Sequence, residues 1–142
     1  MNIFLIIAGT LSAIAAILHL ACIYFGASWY RFLGAGEYMA QLAEQGSIKP
    51  TLITTGIFCV LSLWSLYAFS AAGIIFRLPF IKFVLIIITA IYLIRGAAGL
   101  FLMGNPLGRT PEFWLWSSLI CLVIGIVHMI GVIQQWKQLA IK

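Results

Sequence analysis

The chain has 142 residues, 64% of them hydrophobic and only 8% charged, with a mean hydropathy of +1.16. Soluble globular domains carry about 25% charged residues, so a water-soluble domain is excluded and an integral membrane protein is expected. The formal charge of +5 comes from eight Lys and Arg scattered singly along the chain. With no basic run to follow a phosphate backbone, nucleic-acid binding has no support, and a membrane surface is the better match.

The first apolar window runs from Ile3 to Phe25, long enough to cross a bilayer as a helix. No Lys or Arg precedes it and it is too long for a secretory signal, so it is predicted to be a retained span. Ala8, Ser12, Ala16 and His19 recur at i+4, i+4 and i+3, a narrow face of small residues that ends in a histidine. The long connection that follows, Gly26 to Lys49, is less apolar. Trp29, Phe32, Leu33, Met39 and Leu42 recur at helical spacing, and Gln41, Glu44 and Gln45 share the other face. An amphipathic interfacial helix is therefore predicted over 27–46, broken in two by Gly34 and Gly36. Its second piece begins at Glu37, where a carboxylate suits a helix N-terminus, and ends at Gly46.

Three more spans follow, at 51–73, 80–103 and 113–134. Pro50, Pro79 and Pro111 each stand just before one, where a missing N–H and a fixed φ suit the first helical turn. In the second span Thr51, Thr55, Cys59, Ser62 and Ser65 are predicted to form one inward polar stripe. In the third, Tyr92, Arg95 and Gly99 share a face, and in the fourth Ser118, Cys121, Gly125 and His128 do. Aromatic residues at the ends, among them Tyr24, Trp29, Phe113, Trp114 and Trp136, support the boundaries. The fold class expected is all-α: a single membrane domain over 1–142, a four-helix bundle with an interfacial helix between its first and second spans.

With both termini on one side, that side carries Arg77, Lys82, Lys137 and Lys142, and the other carries Arg31, Lys49 and Arg109. The positive-inside rule then favours cytoplasmic termini by a narrow bias, and a dual-topology antiparallel dimer is the alternative. Cys22, Cys59 and Cys121 all fall within spans, without CxxC spacing, so neither a disulfide framework nor a zinc site is expected.

Arg95 is the one charged residue in the run from Phe83 to Met103. A guanidinium there costs at least ~2.5 kcal/mol on insertion scales, so it is expected to face protein, water or a ligand. Counted from the span centres at ~1.5 Å per residue, Arg95 and His19 lie roughly 5 and 7 Å from the midplane on the loop-bearing side, and His128 about 6 Å on the other. That separation argues against one haem or one metal between the histidines, and with no Asp and three Glu the chain lacks the carboxylates of a di-metal site or an acid-based pump. No cofactor or metal is expected. Arg95, His19, Thr55, Ser118 and Tyr92 are predicted to line an outward polar cavity, with Glu37 reaching down as counter-ion to Arg95.

The stretch Trp29-Tyr30-Arg31-Phe32-Leu33-Gly34-Ala35-Gly36-Glu37, with Pro50, Thr54 and Arg77-Leu78-Pro79, resembles a group of small uncharacterised bacterial inner-membrane proteins. The resemblance implies a bacterial cytoplasmic membrane and a shared loop segment, and carries no activity. The functional expectation is a non-enzymatic protein that binds a lipid-like or anionic ligand, or that serves as accessory subunit of a larger membrane complex, with membrane lipids and further copies of itself as partners. A homo-oligomeric transporter or channel, with the Thr51 to Ser65 stripe lining its path, is the first alternative. A membrane enzyme using His19 or Glu37 as acid or base on a lipid-soluble substrate is the second.

Overall fold

A computed structural model describes residues 1–140; Ile141 and Lys142, the latter counted in the charge balance above, lie outside the described residues. All regular structure among the described residues is helical. The elements are α1 (Ile3–Phe25), α2 (Ala27–Phe32), α3 (Glu37–Glu44), α4 (Lys49–Ala72), α5 (Ile81–Phe101), a 3₁₀ turn (Leu102–Gly104), α6 (Pro111–Gln134) and α7 (Trp136–Ala140). Four of the helices, the fourth-span candidate included, are long and apolar enough to span a membrane. No more than 33% of the most apolar window of any of them is buried within the protein. A soluble bundle hides its apolar stripe; here most of it faces outward, which only a lipid solvent tolerates.

The ends follow from local chemistry. Asn2 caps α1, its Oδ1 accepting from the Leu5 N–H at 3.0 Å, and Thr110 caps α6, accepting from the Phe113 N–H at 3.1 Å. Pro50 and Pro111 sit inside the first turns of α4 and α6, so those helices begin at Lys49 and Pro111, two residues earlier than expected. Pro79 stays outside α5, which starts at Ile81 and tightens into the 3₁₀ turn before 103.

Helix α1 packs on α4, α5 packs on α6, and α1 also touches α6; α4 meets α5 only lightly. Where helices cross, small residues let the backbones approach. A side chain at Gly9 would stand 2.9 Å from the Phe69 ring, one at Gly96 2.6 Å from Leu122, and one at Gly131 2.6 Å from Leu5. Hydroxyls then join the helices: Ser65 Oγ donates to the Gly9 carbonyl at 2.8 Å, and Ser12 Oγ and Tyr92 Oη lie 2.8 Å apart. Such interhelical bonds average about 0.6 kcal/mol, so close packing rather than any one bond holds the assembly.

The faces predicted for α1 and α6 are the buried ones: Ala8, Ser12 and Ala16, and Ser118, Gly125 and His128. The face predicted for α4 is not. Thr51, Thr55 and Cys59 are exposed and Ser62 half-buried; of the predicted stripe only Ser65 is buried, on a face it shares with Thr54, Leu61, Ala68 and Ala72. The stripe is rotated by about one residue, roughly 100° around the helix.

At the end that carries the termini the helices are tied together. The Asn2 N–H donates to the Ala72 carbonyl at 3.2 Å and its amide to Gln134 Oε1 at 2.8 Å, while Arg77 caps the carbonyls of Gln138 and Leu139. At the loop end, α2 and α3 form a second small core in which Cys22, Tyr30 and Ala40 are buried. The turn between them falls at Leu33–Gly36, as the two glycines suggest. Gly34 has φ 76° and Gly36 φ 102°, values an L side chain resists, so the turn needs glycine at both. Phe32, on the apolar face expected to meet the membrane interface, is 79% exposed, and Tyr30 is buried with its Oη 3.0 Å from Thr54 Oγ1.

Candidate functional site

Arg95 lies one turn beyond Tyr92 on α5, part-exposed, and its guanidinium turns across to the loop end of α6. Nη2 donates to Ser117 Oγ at 3.3 Å, and the guanidinium carbon stands 5.0 Å from the centre of the Trp114 ring. Nη1 is closed to solvent and has no hydrogen-bond partner. Ser118, fully buried, is the neighbour expected from sequence, and its Oγ is also unpartnered. Both atoms lie against the bare Cα of Gly99: a methyl there would collide with Ser118 Oγ and stand 2.6 Å from Arg95 Nη1.

A second cation joins them. Arg109, in the loop before α6, lies 4.9 Å from the Phe113 ring centre and 5.5 Å from that of Trp114. Its pKa is pushed below the ordinary value, first by burial and then by repulsion from Arg95. Trp114 is therefore in contact with both guanidiniums. Its ring is 7% exposed, and its Nε1 is already spent on the Pro106 carbonyl at 2.7 Å, so it offers the cations only its face. The Gly34–Gly36 turn closes over this group, with Phe113 against Gly34 and Arg109 beside Gly36.

The other predicted residues lie elsewhere. Glu37 is not the counter-ion of Arg95. Its carboxylate takes two bonds from Arg31, at 2.7 and 2.9 Å, while Glu44 takes a third at 2.6 Å. Hydrogen bonding to Arg31 holds both carboxyls below their usual range. Among the described residues these are the only ion pairs, so neither Arg95 nor Arg109 is matched by a carboxylate. Thr55 faces outward on α4 and does not reach the site. His19 is half-buried on the inward face of α1, and the side-chain bond it makes is to the Ala15 carbonyl of its own helix, at 2.7 Å from Nδ1.

Tyr92 belongs to a layer nearer the molecular centre. Its ring packs edge-on to Trp64 and stacks on His128, with centroids at 5.0 and 5.7 Å, and its hydroxyl meets Ser12, so each long helix supplies one member. No three His, Cys, Asp or Glu side chains converge to hold a metal among the described residues.

Arg109 and Trp114 are the site residues that sequence reading overlooked. Trp114 precedes Ser117 and Ser118 by three and four residues, so helical spacing already put it on their face. Arg109 carried no such signal, because its position depends on how the loop folds back. Comparison with protein-family models, with curated proteins and with solved structures finds no match.

Proposed function

We propose that the chain is a non-enzymatic, multi-pass protein of a bacterial cytoplasmic membrane that binds an anionic, lipid-like ligand at its loop end. The observation that carries this reading is the pair Arg95 and Arg109, two guanidiniums around one tryptophan without a carboxylate between them. Partly buried cations left unmatched are costly, and an anion from outside the chain would neutralise them. Cytoplasmic termini follow from the positive-inside bias. The exposed Tyr24, Phe25, Phe32 and Tyr38 suit α2 and α3 to the headgroup layer of the opposite leaflet. The engagement of Glu37 with Arg31 removes one of the two groups, Glu37 and His19, that an enzyme reading would use as acid or base beside Arg95.

Native mass spectrometry of the purified chain tests the proposal. Wild-type protein should carry a co-purifying anionic lipid or partner that Arg95→Ala loses, and a wild type that carries neither removes the reading.

A second reading, a homo-oligomeric transporter, draws on the outward position of Thr51, Thr55 and Cys59, where a neighbouring copy could meet them. Equal leak of anions and organic cations from liposomes with and without the protein would eliminate it.

A further inference from the structure

Resting on the anion-binding reading above, we propose that the group held between Arg95 and Arg109 is a phosphoryl oxyanion rather than a carboxylate. The surroundings offer donors, and Glu112, the acidic residue three places after Arg109, is exposed and pairs with neither arginine. Arg95 Nη1 and Ser118 Oγ have no partner. Ser117 Oγ accepts from Arg95 and keeps its own proton to give. The Arg109 side chain makes no hydrogen bond among the described residues, and its guanidinium lies over the rings of Phe113 and Trp114.

These donors come from three pieces of chain: α5, the loop before α6, and α6 itself. A planar carboxylate has about four acceptor sites, all in one plane, so after one guanidinium fork it can meet the second arginine and the hydroxyls only if they lie in that plane. A tetrahedral phosphoryl group presents three or four oxygens, enough for two guanidiniums and the hydroxyls together. Its larger charge also offsets the repulsion between the two arginines.

Gly99 contributes by having no side chain, because that absence is what lets Ser118 Oγ and Arg95 Nη1 share one spot. Both atoms are closed to water. Binding therefore turns the Arg95 side chain, which is part-exposed and free of ion pairs, so that an incoming oxygen bridges Nη1 and Ser118 Oγ.

The phosphoryl group could belong to a lipid headgroup or to free phosphate, and titration of delipidated full-length protein in detergent separates them. The ligands are dioleoylphosphatidic acid, oleate, dioleoylglycerol and inorganic phosphate, with occupancy read by native mass spectrometry. Phosphatidic acid should bind at least about tenfold more tightly than oleate, and Arg109→Gln and Ser118→Ala should each weaken it several-fold, to about tenfold, with little change for oleate.

Binding of phosphatidic acid without binding of inorganic phosphate supports a lipid source, and Arg109-dependent binding of phosphate alone supports a soluble one. Oleate bound as tightly as phosphatidic acid, with the same dependence on Arg95 and Arg109, overturns the phosphoryl assignment and leaves the anion reading standing. Failure of wild type to bind any of the anions overturns both. Unchanged phosphatidic acid binding in Arg109→Gln, which lies in a loop outside the spans, overturns the two-guanidinium site; equal thermal unfolding midpoints show that the variant is folded.

Discussion

Gly99 and Gly56 are both glycines inside long helices, and the structure gives them opposite roles. A methyl at Gly99 would strike Ser118 Oγ and crowd Arg95 Nη1, whereas one at Gly56 would meet nothing within 4 Å. Gly99→Ala is therefore expected to destabilise the protein by about 1–3 kcal/mol through overpacking, and to displace Arg95 from Ser117. Gly56→Ala should be neutral or stabilise by up to about 0.5–1 kcal/mol, since it removes only glycine's backbone entropy. Reversible unfolding in mixed micelles measures both, and equal effects at the two positions would show that the contact around Gly99 is misplaced. The threonines of α4 were the least legible from sequence. Exposed Thr10 explains why, because its Oγ1 donates to the Ile6 carbonyl at 2.9 Å within its own helix. A threonine that satisfies itself this way need not seek the interior, so the polarity of Thr55 said little about the direction it faces.

The α2–α3 segment was legible as an element and not as a partner. Its two pieces and their glycine turn are where the spacing put them, because left-handed turns and helix ends depend on neighbours only a few residues away. The pairing of Glu37 was misread for a related reason. Once Gly34 and Gly36 reverse the chain, α3 lies back on α2, and Arg31, six residues away, closes a much shorter loop than Arg95 could. A pH dependence follows. The carboxyls of Glu37 and Glu44 have lower pKa values when docked than when free, so the undocked segment binds more protons. Docking is then fully supported above the usual carboxylate range and weakens as pH falls through and below it. Amide exchange over 27–44, corrected for its intrinsic pH dependence, should accelerate between about pH 5 and pH 3, around the usual carboxylate pKa. Arg31→Ala should exchange fast throughout; a wild-type profile flat across that window would show that the clamp holds nothing.

For the whole molecule, the Asn2 bonds to Ala72 and Gln134 place both described ends of the chain at one end of the helices, opposite α2 and α3. Reporter fusions at the N- and C-termini should both read as cytoplasmic. Opposite signals from the two fusions would contradict the even number of crossings, and equal mixtures at both ends would indicate dual insertion. A cysteine-directed, lipid-soluble maleimide should label exposed Cys59 well before buried Cys22, which checks the outward face of α4 independently of orientation.

Composition and hydropathy by themselves determined the solvent, the number of long helices and their limits to within about two residues, because each depends on stretches of about 20 residues whose transfer into lipid is a local sum. Spacing also picked out the inward faces of α1 and α6, where small residues and histidine agreed. Only the tertiary structure decided which cations share Trp114, that Glu37 belongs to Arg31, and which way the hydroxyls of α4 turn. Those outcomes rest on how helices rotate against one another and where loops fold back, and a rotation of one residue moves a side chain from the protein interior to the lipid.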